Sequence, residues 1–536
     1  VNSSSRVSKK KTEIQKGADG MGKWMNGYLD KLDGVRRENL SGGRKNGIEL
    51  IHSLGKLTAR ERIESLVDPG TFNEIGSLVT DSRPPLDSRP RPAPSDGIVM
   101  GVARVNGVTI SLYAMDFTVM SGSLGDQAAW KLSDLTKMSG QMQIPIVGMI
   151  DCAGARLSFK GGDSGFNGFS QFVRNYCLYS GVIPRIALIL GPCTGLMATL
   201  AVLSDFLIIN RKTGFLWLGG EKISEDAGSA EFHMEKSGQC DLIADSDEDA
   251  IQKVKTILSY IPANCWEKPV RKETDDAFER REEKLLDVMP DDPKFTYDIH
   301  EIIDLIVDDG VFLELKEDFA AHLVIGFARF GGYVVGIVAN NPDVLSGILE
   351  PDSSDKYDRF MMFVDAFNIP LVTLVDTTAF PPGDRWERLG VIRHGAKLLH
   401  SYAHLTCPKI TMVLRRSYGG ANIVLGCSKM FPDFIYAWPT TEFAPTGPET
   451  VVHAVFNKEL AKAKEEGNYD EVYHFFLSIL KEQFSVMNLA KHWTTYYTVH
   501  EVIDPRETRP RIIKALEAIS NKHEDLPEKK RSIKPA

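Results

Sequence analysis

The sequence predicts an α/β protein made of two homologous halves in one chain. Three observations predict it. At 536 residues the chain exceeds what a single core accommodates. A long ordered stretch of it occurs twice. Each copy alternates short apolar runs with helical segments, the pattern of sheets with helices packed outside them.

Self-comparison locates the repeat. GVARVNGVTISLYAMDFTVMSGSL, from Gly101, lies on GFARFGGYVVGIVANNPDVLSGIL, from Gly326. Ala103 then meets Ala328, Arg104 meets Arg329, Gly107 meets Gly332, Ser121-Gly122 meets Ser346-Gly347 and Asp151 meets Asp376, all at one offset (326 − 101). One residue is lost in the following loop, after which Pro184 meets Pro408 and Gly195 meets Gly419. Upstream, LVDPGTFNE from Leu66 resembles IVDDGVFLE from Ile306. An ordered set of matches of this length marks an internal duplication.

Taken in order, each copy opens with a hairpin turning at Asn106-Gly107 or Gly331-Gly332. A helix is expected next, over Ala128–Met142 or Ser353–Phe367. A buried strand follows, IPIVGMID or IPLVTLVD, then a loop and a second helix. The unit closes on another buried strand, PRIALILG or PKITMVLR. The expected organisation is a flexible tail over 1–20, a first half over 21–265, a linker over 266–294, a second half over 295–520 and a charged tail over 521–536. The linker is charged, carries prolines and lacks an apolar stripe. Ser82–Asp96 is proline-rich and reads as a surface spacer, with a lid over the substrate entrance as its other reading. The charged tail is expected to be solvated and partly disordered.

Composition removes several function classes. A formal charge of −9 argues against general nucleic-acid binding. The seven cysteines are scattered, with no C-x-x-C pair, which fits reduced thiols rather than zinc or a disulfide framework. Val1–Lys16 has no apolar signal region, and no apolar run reaches the ~20 residues of a membrane helix, so a soluble cytoplasmic protein is expected.

Chemistry is sought at the glycine turns after the second buried strand of each copy, GPCTGLMATLAVLSD from Gly191 and RRSYGGANIVLG from Arg415. Both place glycine at a strand end, just before residues able to start a helix. Backbone N–H groups are free at a helix start and their dipoles add, so such a turn can hold an oxyanion. A tight turn needing positive φ explains glycine equally well; recurrence at matching places in both copies favours function. There is no G-x-x-x-x-G-K-[ST] phosphate loop and no G-x-S-x-G elbow. His394 lies on an expected helix and reads as structural before catalytic. Asp151 and Asp376 end equivalent strands and suit turn or cap roles as well as catalysis.

LTARERIESLVDPGTF, DFTVMSGSLGD, DCAGAR and GPCTG resemble the first half of the carboxyltransferase (β) subunits of biotin-dependent propionyl-CoA and acetyl-CoA carboxylases. RREEKLLDVMPDDPKFTYDIHEIID resembles the connector of that family. ANNP, SGILEPDSSDK, FVDAFNIPLVTLVD, IRHGAKLL and RRSYGGA resemble its second half, and the likeness covers roughly residues 50 to 500. The resemblance implies a duplicated crotonase-like (ββα superhelix) fold. It also implies transfer of a carboxyl group between carboxybiotin and the α-carbon of an acyl-CoA through a thioester enolate. Two oxyanion holes are implied, one for the enolate and one for the biotin ureido oxygen. In this family the ureido nitrogen takes the α-proton, so no side-chain base is needed.

Carried over residue by residue, the thioester hole falls on the backbone of Gly195 and Leu196 and the ureido hole on Gly420 and Ala421. Gly154, Ala155, Arg156, Gly419, Asn422 and Ile423 are the implied substrate-binding positions. The chain departs from the family pattern at several of them. Leu196 stands in place of a second glycine and Met197 in place of alanine. AFPPG replaces GFLPG, and Leu389-Gly390 replaces a glycine pair. Asn422 and Ile423 replace an aromatic and an aspartate that shapes acyl preference. Leu196 and Met197 are expected to narrow the first pocket, and Ile423 to make the acyl end more apolar, giving a substrate other than propionyl-CoA.

No A-M-K-M-like biotin lysine and no ATP-grasp signature occur, so biotin on a carrier subunit and a biotin carboxylase are implied partners, with coenzyme A thioesters as substrates and no metal in this chain. A homohexamer with active sites between the first half of one subunit and the second half of another is implied as well. Three other readings stand beside this one. A biotin-dependent decarboxylase or transcarboxylase keeps the fold and reverses the flow. A hydratase or thioesterase would need paired carboxylates that the sequence does not offer. A degenerate scaffold subunit would keep the fold for assembly alone.

Overall fold

The computed structural model describes residues 24–43, 46–81, 93–156, 163–224, 227–292, 295–427, 430–487 and 497–535. The tail over 1–20 and most of the proline-rich stretch Ser82–Asp96 lie outside the described residues. Among those described, no helix is long and apolar enough to cross a membrane.

The first sheet contains β1 (Asn73–Glu74), β2 (Ile98–Val105), β3 (Val108–Met115), β4 (Ile146–Cys152), β5 (Arg185–Thr194), β6 (Phe206–Asn210), β7 (Phe215–Trp217) and β8 (Leu242–Ala244). The second contains β9 (Leu313–Leu315), β10 (Leu323–Phe330), β11 (Tyr333–Asn340), β12 (Leu371–Thr377), β13 (Lys409–Tyr418), β14 (Phe434–Ala437), β15 (Glu442–Ala444) and β16 (Glu501–Val502). Their orders are β1-β2-β3-β4-β5-β6-β8 with β7 on β5, and β9-β10-β11-β12-β13-β14-β16 with β15 on β13. The two sheets are the same sheet built twice, as the repeat required.

The hairpins form as expected, with Val105 opposite Val108 and Phe330 opposite Tyr333. All four turn residues have positive φ, which Asn-Gly and Gly-Gly tolerate. Each turn is clamped by an upstream aspartate. Asp68 accepts from the N–H groups of Asn106 and Gly107, both at 2.9 Å. Asp308 accepts from Gly331 at 2.8 Å and Gly332 at 2.7 Å. The LVDPG and IVDDG motifs are repeated for this reason.

From β3 and β11 onward the pairing is parallel. The central strands β4 and β12 are buried at every residue, which is why they read as unbroken apolar runs. The expected helices appear as Asp126–Met142 and Pro351–Ala366, one on each sheet. Glu350 opens the second with a capping box and proline in the first turn. The core is continuous between halves: Phe206 of β6 lies 6.0 Å from Phe327 of β10 and 4.7 Å from Phe363 of the Pro351–Ala366 helix, ring to ring. Such aromatic clusters bind the two halves by area and edge geometry together. The charged tail is largely exposed and touches the second half at a few points. Lys522 pairs with Asp433 at 3.1 Å, Ser532 bonds His400 at 2.5 Å, and Lys534 pairs with Asp358.

Candidate active site

Strands β5 and β13 each end on a glycine that swings the chain into a helix. Gly195 has φ 65° and precedes the helix Leu196–Val202; Gly419 has φ 59° and precedes Gly420, the cap of the helix Ala421–Val424. That backbone conformation strains any residue with a Cβ. Both glycine N–H groups are consumed by the short outer strands. Gly195 donates to the carbonyls of Trp217 and Leu218, both at 3.1 Å, and Gly419 to that of Ala444 at 3.0 Å. The two turns are thus pinned in the same way, by β7 and by β15.

The N–H groups that follow are left over. Among the described residues no carbonyl accepts from Leu196 and Met197, nor from Gly420 and Ala421. The start of a helix leaves its first donors without intrahelical partners. Gly195 has its N–H committed, and the repeat itself sets Leu196 and Met197 opposite Gly420 and Ala421. The side chains diverge as helix periodicity requires: Met197 is only 2% exposed in the core of its half, whereas Leu196 is 46% exposed. Met197 therefore cannot narrow a pocket at the turn, contrary to expectation.

The loop after the preceding strand stands against each turn. Gly154, with φ 104°, accepts from the N–H of Leu124 at 2.9 Å, and a Cβ on it would lie 2.8 Å from Thr194 Oγ1. Its counterpart Ala379 has φ 111° and accepts from Leu349 at 3.2 Å. A Cβ at Gly419 would lie 3.2 Å from the Ala379 methyl, and one at Gly420 3.5 Å from the Phe380 ring. Ala155 is exposed beside Gly154.

Two expected substrate contacts are engaged within the protein. The Arg156 guanidinium is bound by Asp96, by Asp81 at 3.1 Å and by the Ser123 carbonyl at 2.8 Å, so it fixes the loop. Asn422 bonds back to Ser417 Oγ at 2.9 Å and clips the turn to β13. Ile423 remains 38% exposed at the mouth. His394 is paired with Asp355 at 2.7 Å.

The strand-end aspartates are buried and ion-paired. Asp151 meets Lys56 and, at 3.3 Å, Arg62, which also holds Asp247 at 2.8 Å. Burial pushes the Asp151 carboxyl up and the Lys56 amine down, and each opposes the shift of the other. Asp376 meets Arg415 at 2.9 Å and Arg416 at 2.8 Å. These partners escaped the sequence reading because they come from other elements.

Residues 51–533 match the family described as "Carboxyl transferase domain". The chain is 36% identical to the propionyl-CoA carboxylase carboxyltransferase subunit of Haloferax mediterranei, over 94% of this chain and 98% of that one. It is 36% identical to the methylmalonyl-CoA carboxyltransferase 12S subunit of Propionibacterium freudenreichii subsp. shermanii, over 94% and 97%. It is 34% identical to the methylmalonyl-CoA decarboxylase subunit alpha of Veillonella parvula, over 91% and 95%. The transcarboxylase 12S crystal structure, a hexamer with methylmalonyl-coenzyme A bound, superposes with a TM-score of 0.86 at 34% identity, over 96% and 98%. With two like sheets, two like turns and these relatives, the chain belongs to the carboxyl transferase family and has its duplicated crotonase fold.

Proposed function

We propose that this chain moves a carboxyl group between a biotin carried by a partner subunit and the α-carbon of an acyl-CoA. The observation that carries the reading is the pair of helix starts, each offering unclaimed N–H groups at the equivalent place of one half. Carboxyl transfer to an enolate develops negative charge at two oxygens, and two donor pairs match two charges. Leu196 and Met197 would hold the thioester oxygen as the α-proton leaves. Gly420 and Ala421 would hold the ureido oxygen. The second turn suits a flat polar ring, because Gly420 has no side chain to cover its N–H and the Phe380 ring lies alongside. Bound carboxybiotin supplies the activated carboxyl group. Fixed backbone donors need no reorganisation as charge appears, and losing one typically costs ~10²–10³ in rate.

The residues at the two turns favour an apolar acyl chain. Leu196 and Leu218 are exposed at the first turn and Ile423 at the second. Ile223, Ile392 and Phe431 are exposed on the same halves, which supports a second copy covering these mouths, as in a hexamer. The partners under this reading are a biotin carrier and a biotin carboxylase. Decarboxylase relatives at 34% identity favour one further possibility, net flow from the carboxylated thioester to biotin.

The test is the half-reaction from malonyl-, methylmalonyl-, ethylmalonyl- or glutaconyl-CoA to free biotin, which needs no partner. Transfer from one donor is expected, and it identifies the acyl group. Leu196→Pro and Gly420→Pro each delete one N–H, at a first helical position and at a φ of −66° that proline accepts. Each should lower kcat by ~10²–10³, the first raising KM for acyl-CoA and the second KM for biotin. Acyl-CoA binding without transfer from any donor would sink the reading in favour of a scaffold subunit. Equal rates for wild type and Ile423→Asp across acetyl-, propionyl- and butyryl-CoA would remove Ile423 from acyl selection.

A further inference from the structure

The two turns stand beside unlike walls. β7 and β15 run parallel to β5 and β13 and pair with them in the same register. Phe215 lies opposite Pro192 and Trp217 opposite Thr194; at the equivalent places Glu442 lies opposite Arg416 and Ala444 opposite Tyr418. Side chains alternate along a strand, so paired residues of neighbouring strands share one face of the sheet. On the far face Cys193 and Leu216 are buried in the core. On the near face Pro192, Thr194, Phe215 and Trp217 all keep partial exposure. The near face is the one that meets the loop beside the first turn, since a Cβ on Gly154 would lie 2.8 Å from Thr194 Oγ1.

In the second half this wall is polar. Arg416 is held by Asp376 at 2.8 Å, and Glu442 accepts from the Tyr418 hydroxyl. In the first half the wall is a stack of two rings. Phe215 and Trp217 lie 5.0 Å apart, centroid to centroid, with 1° between their planes. The indole is fixed as well as partly open. Its Nε1 donates to the Ala227 carbonyl, and Gly228, at φ 123°, lets the backbone pass where a Cβ would overlap that nitrogen. Leu218, 79% exposed, extends the apolar surface toward the turn, where its carbonyl and that of Trp217 accept from Gly195. A rigid aromatic pair loses little freedom when a ligand covers it, and it favours a second π system in stacked or edge geometry.

We propose that Phe215 and Trp217 select the acyl group, and that they favour an acyl-CoA bearing an aryl ring next to its α-carbon over an aliphatic one. The inference rests on the reading of the first turn as the thioester hole. With the thioester oxygen held there, the acyl end lies beside β7, the strand that pins the turn. The ring of an arylacetyl group then covers the indole instead of facing water. An aryl group also stabilises the enolate by conjugation, so recognition and chemistry favour the same class of substrate. The polar wall of the second half offers no such surface.

The experiment measures binding of phenylacetyl-, cyclohexylacetyl- and propionyl-CoA, and of free CoA, to the full chain by calorimetry, with no biotin present. Phenylacetyl-CoA should bind a few-fold to about tenfold more tightly than cyclohexylacetyl-CoA, which matches its bulk without a π face. Propionyl-CoA should bind more weakly than either. Trp217→Leu should bring the phenyl and cyclohexyl thioesters together, and Trp217→Phe should keep them apart. Phe215→Leu carries the test if the leucine variant at Trp217 does not fold, and it should narrow the same gap. Equal affinities of the two thioesters in the wild type would overturn the proposal. So would a loss in Trp217→Leu that free CoA shares in full, which would place the nucleotide on the rings. Binding involves no transfer, so the two readings fail separately. Transfer from methylmalonyl-CoA without an aryl preference removes this proposal alone, and an aryl preference without transfer from any donor removes the carboxyltransferase reading alone.

Discussion

The two halves repeat their backbone closely and many of their charges, but not the ion pairs those charges make. Hairpins, clamping aspartates, central strands and pinned glycine turns recur element for element. The strand-end aspartate recurs too, but its counter-charge does not. In the first half the cation comes from the helix Ala59–Leu66, as Arg62, and the neighbouring strand carries Gly191, where a Cβ would overlap Asp151 Oδ1. In the second half the neighbouring strand supplies Arg415, Gly191's counterpart, and the helix Ile299–Ile306 carries apolar Ile302 where Arg62 would be. A backbone position is fixed by the geometry of its neighbours. A charge needs only to be met, and it can be met from any side.

This difference makes the aspartates the most sensitive place to break the comparison. Removing one partner of a buried pair costs about 3–5 kcal/mol, because the other charge stays buried. After Asp151→Asn, Arg62 still has Asp247, and Lys56, whose amine burial already pushes down, can shed its proton. After Asp376→Asn, two arginines remain with nothing to pair and no proton to lose. Urea denaturation should therefore show the full 3–5 kcal/mol loss for Asp376→Asn and a smaller one for Asp151→Asn. Equal losses would mean that the origin of the counter-charge is immaterial.

A smaller effect tests the loops beside the turns. Gly154 and Ala379 share a positive φ that only glycine adopts freely, and such strain costs ~1–3 kcal/mol. Gly154→Ala imports that strain and crowds Thr194 Oγ1, so a loss of about 1–3 kcal/mol is expected. Ala379→Gly should relieve it and gain about 1 kcal/mol, less the added freedom of the unfolded chain. The opposite signs are the point of the pair, and thermal unfolding of both variants reads them. A loss in Ala379→Gly would show that the methyl's contact with the second turn outweighs the strain.

Much of this architecture was legible because the chain carries its own alignment. The turn pairs, the strand ends and the place of the site all follow from matching one copy on the other. What was not legible depended on contacts between distant residues. Gly195 drew attention as a glycine, yet its donor is spent on Trp217 and Leu218, a pairing no local motif shows. The repeat aligns Gly195 with Gly419 and not with Gly420. Arg156 looked available and is held by Asp96 and Asp81. The burial of Met197 was readable in principle, because it shares a helix face with Leu200 and Ala201.

The smallest effect concerns the clasp between the first helix and the edge strand of each half. Arg60 holds Glu74 through both nitrogens at 3.0 Å; its counterpart His300 holds Glu314 at 2.8 Å and Asp298 at 2.6 Å. Arginine stays charged at any working pH, whereas histidine does not. The bond to Glu314, with that to Asp298, raises the His300 pKa to about 9, against burial. A pKa raised on folding means the folded state holds the proton more tightly. The clasp is therefore fully present below pH 6.5 and is lost as pH rises through about 9. His300 keeps 34% of its side chain exposed, so screening limits the loss to about 1 kcal/mol or less. Two equivalent lysines titrate with the opposite sign in the same range. Lys131 and Lys356 each donate to two buried carbonyls, and burial lowers them to about 8 and about 7. Stability thus rises with pH from those two while it falls from His300. The wild-type profile alone would hide the clasp, but its difference from His300→Arg cancels the lysines. That difference should grow from near zero below pH 6.5 to its full value above pH 9, with the variant the more stable at the alkaline end. Parallel profiles would show that the second clasp, like the first, does not titrate.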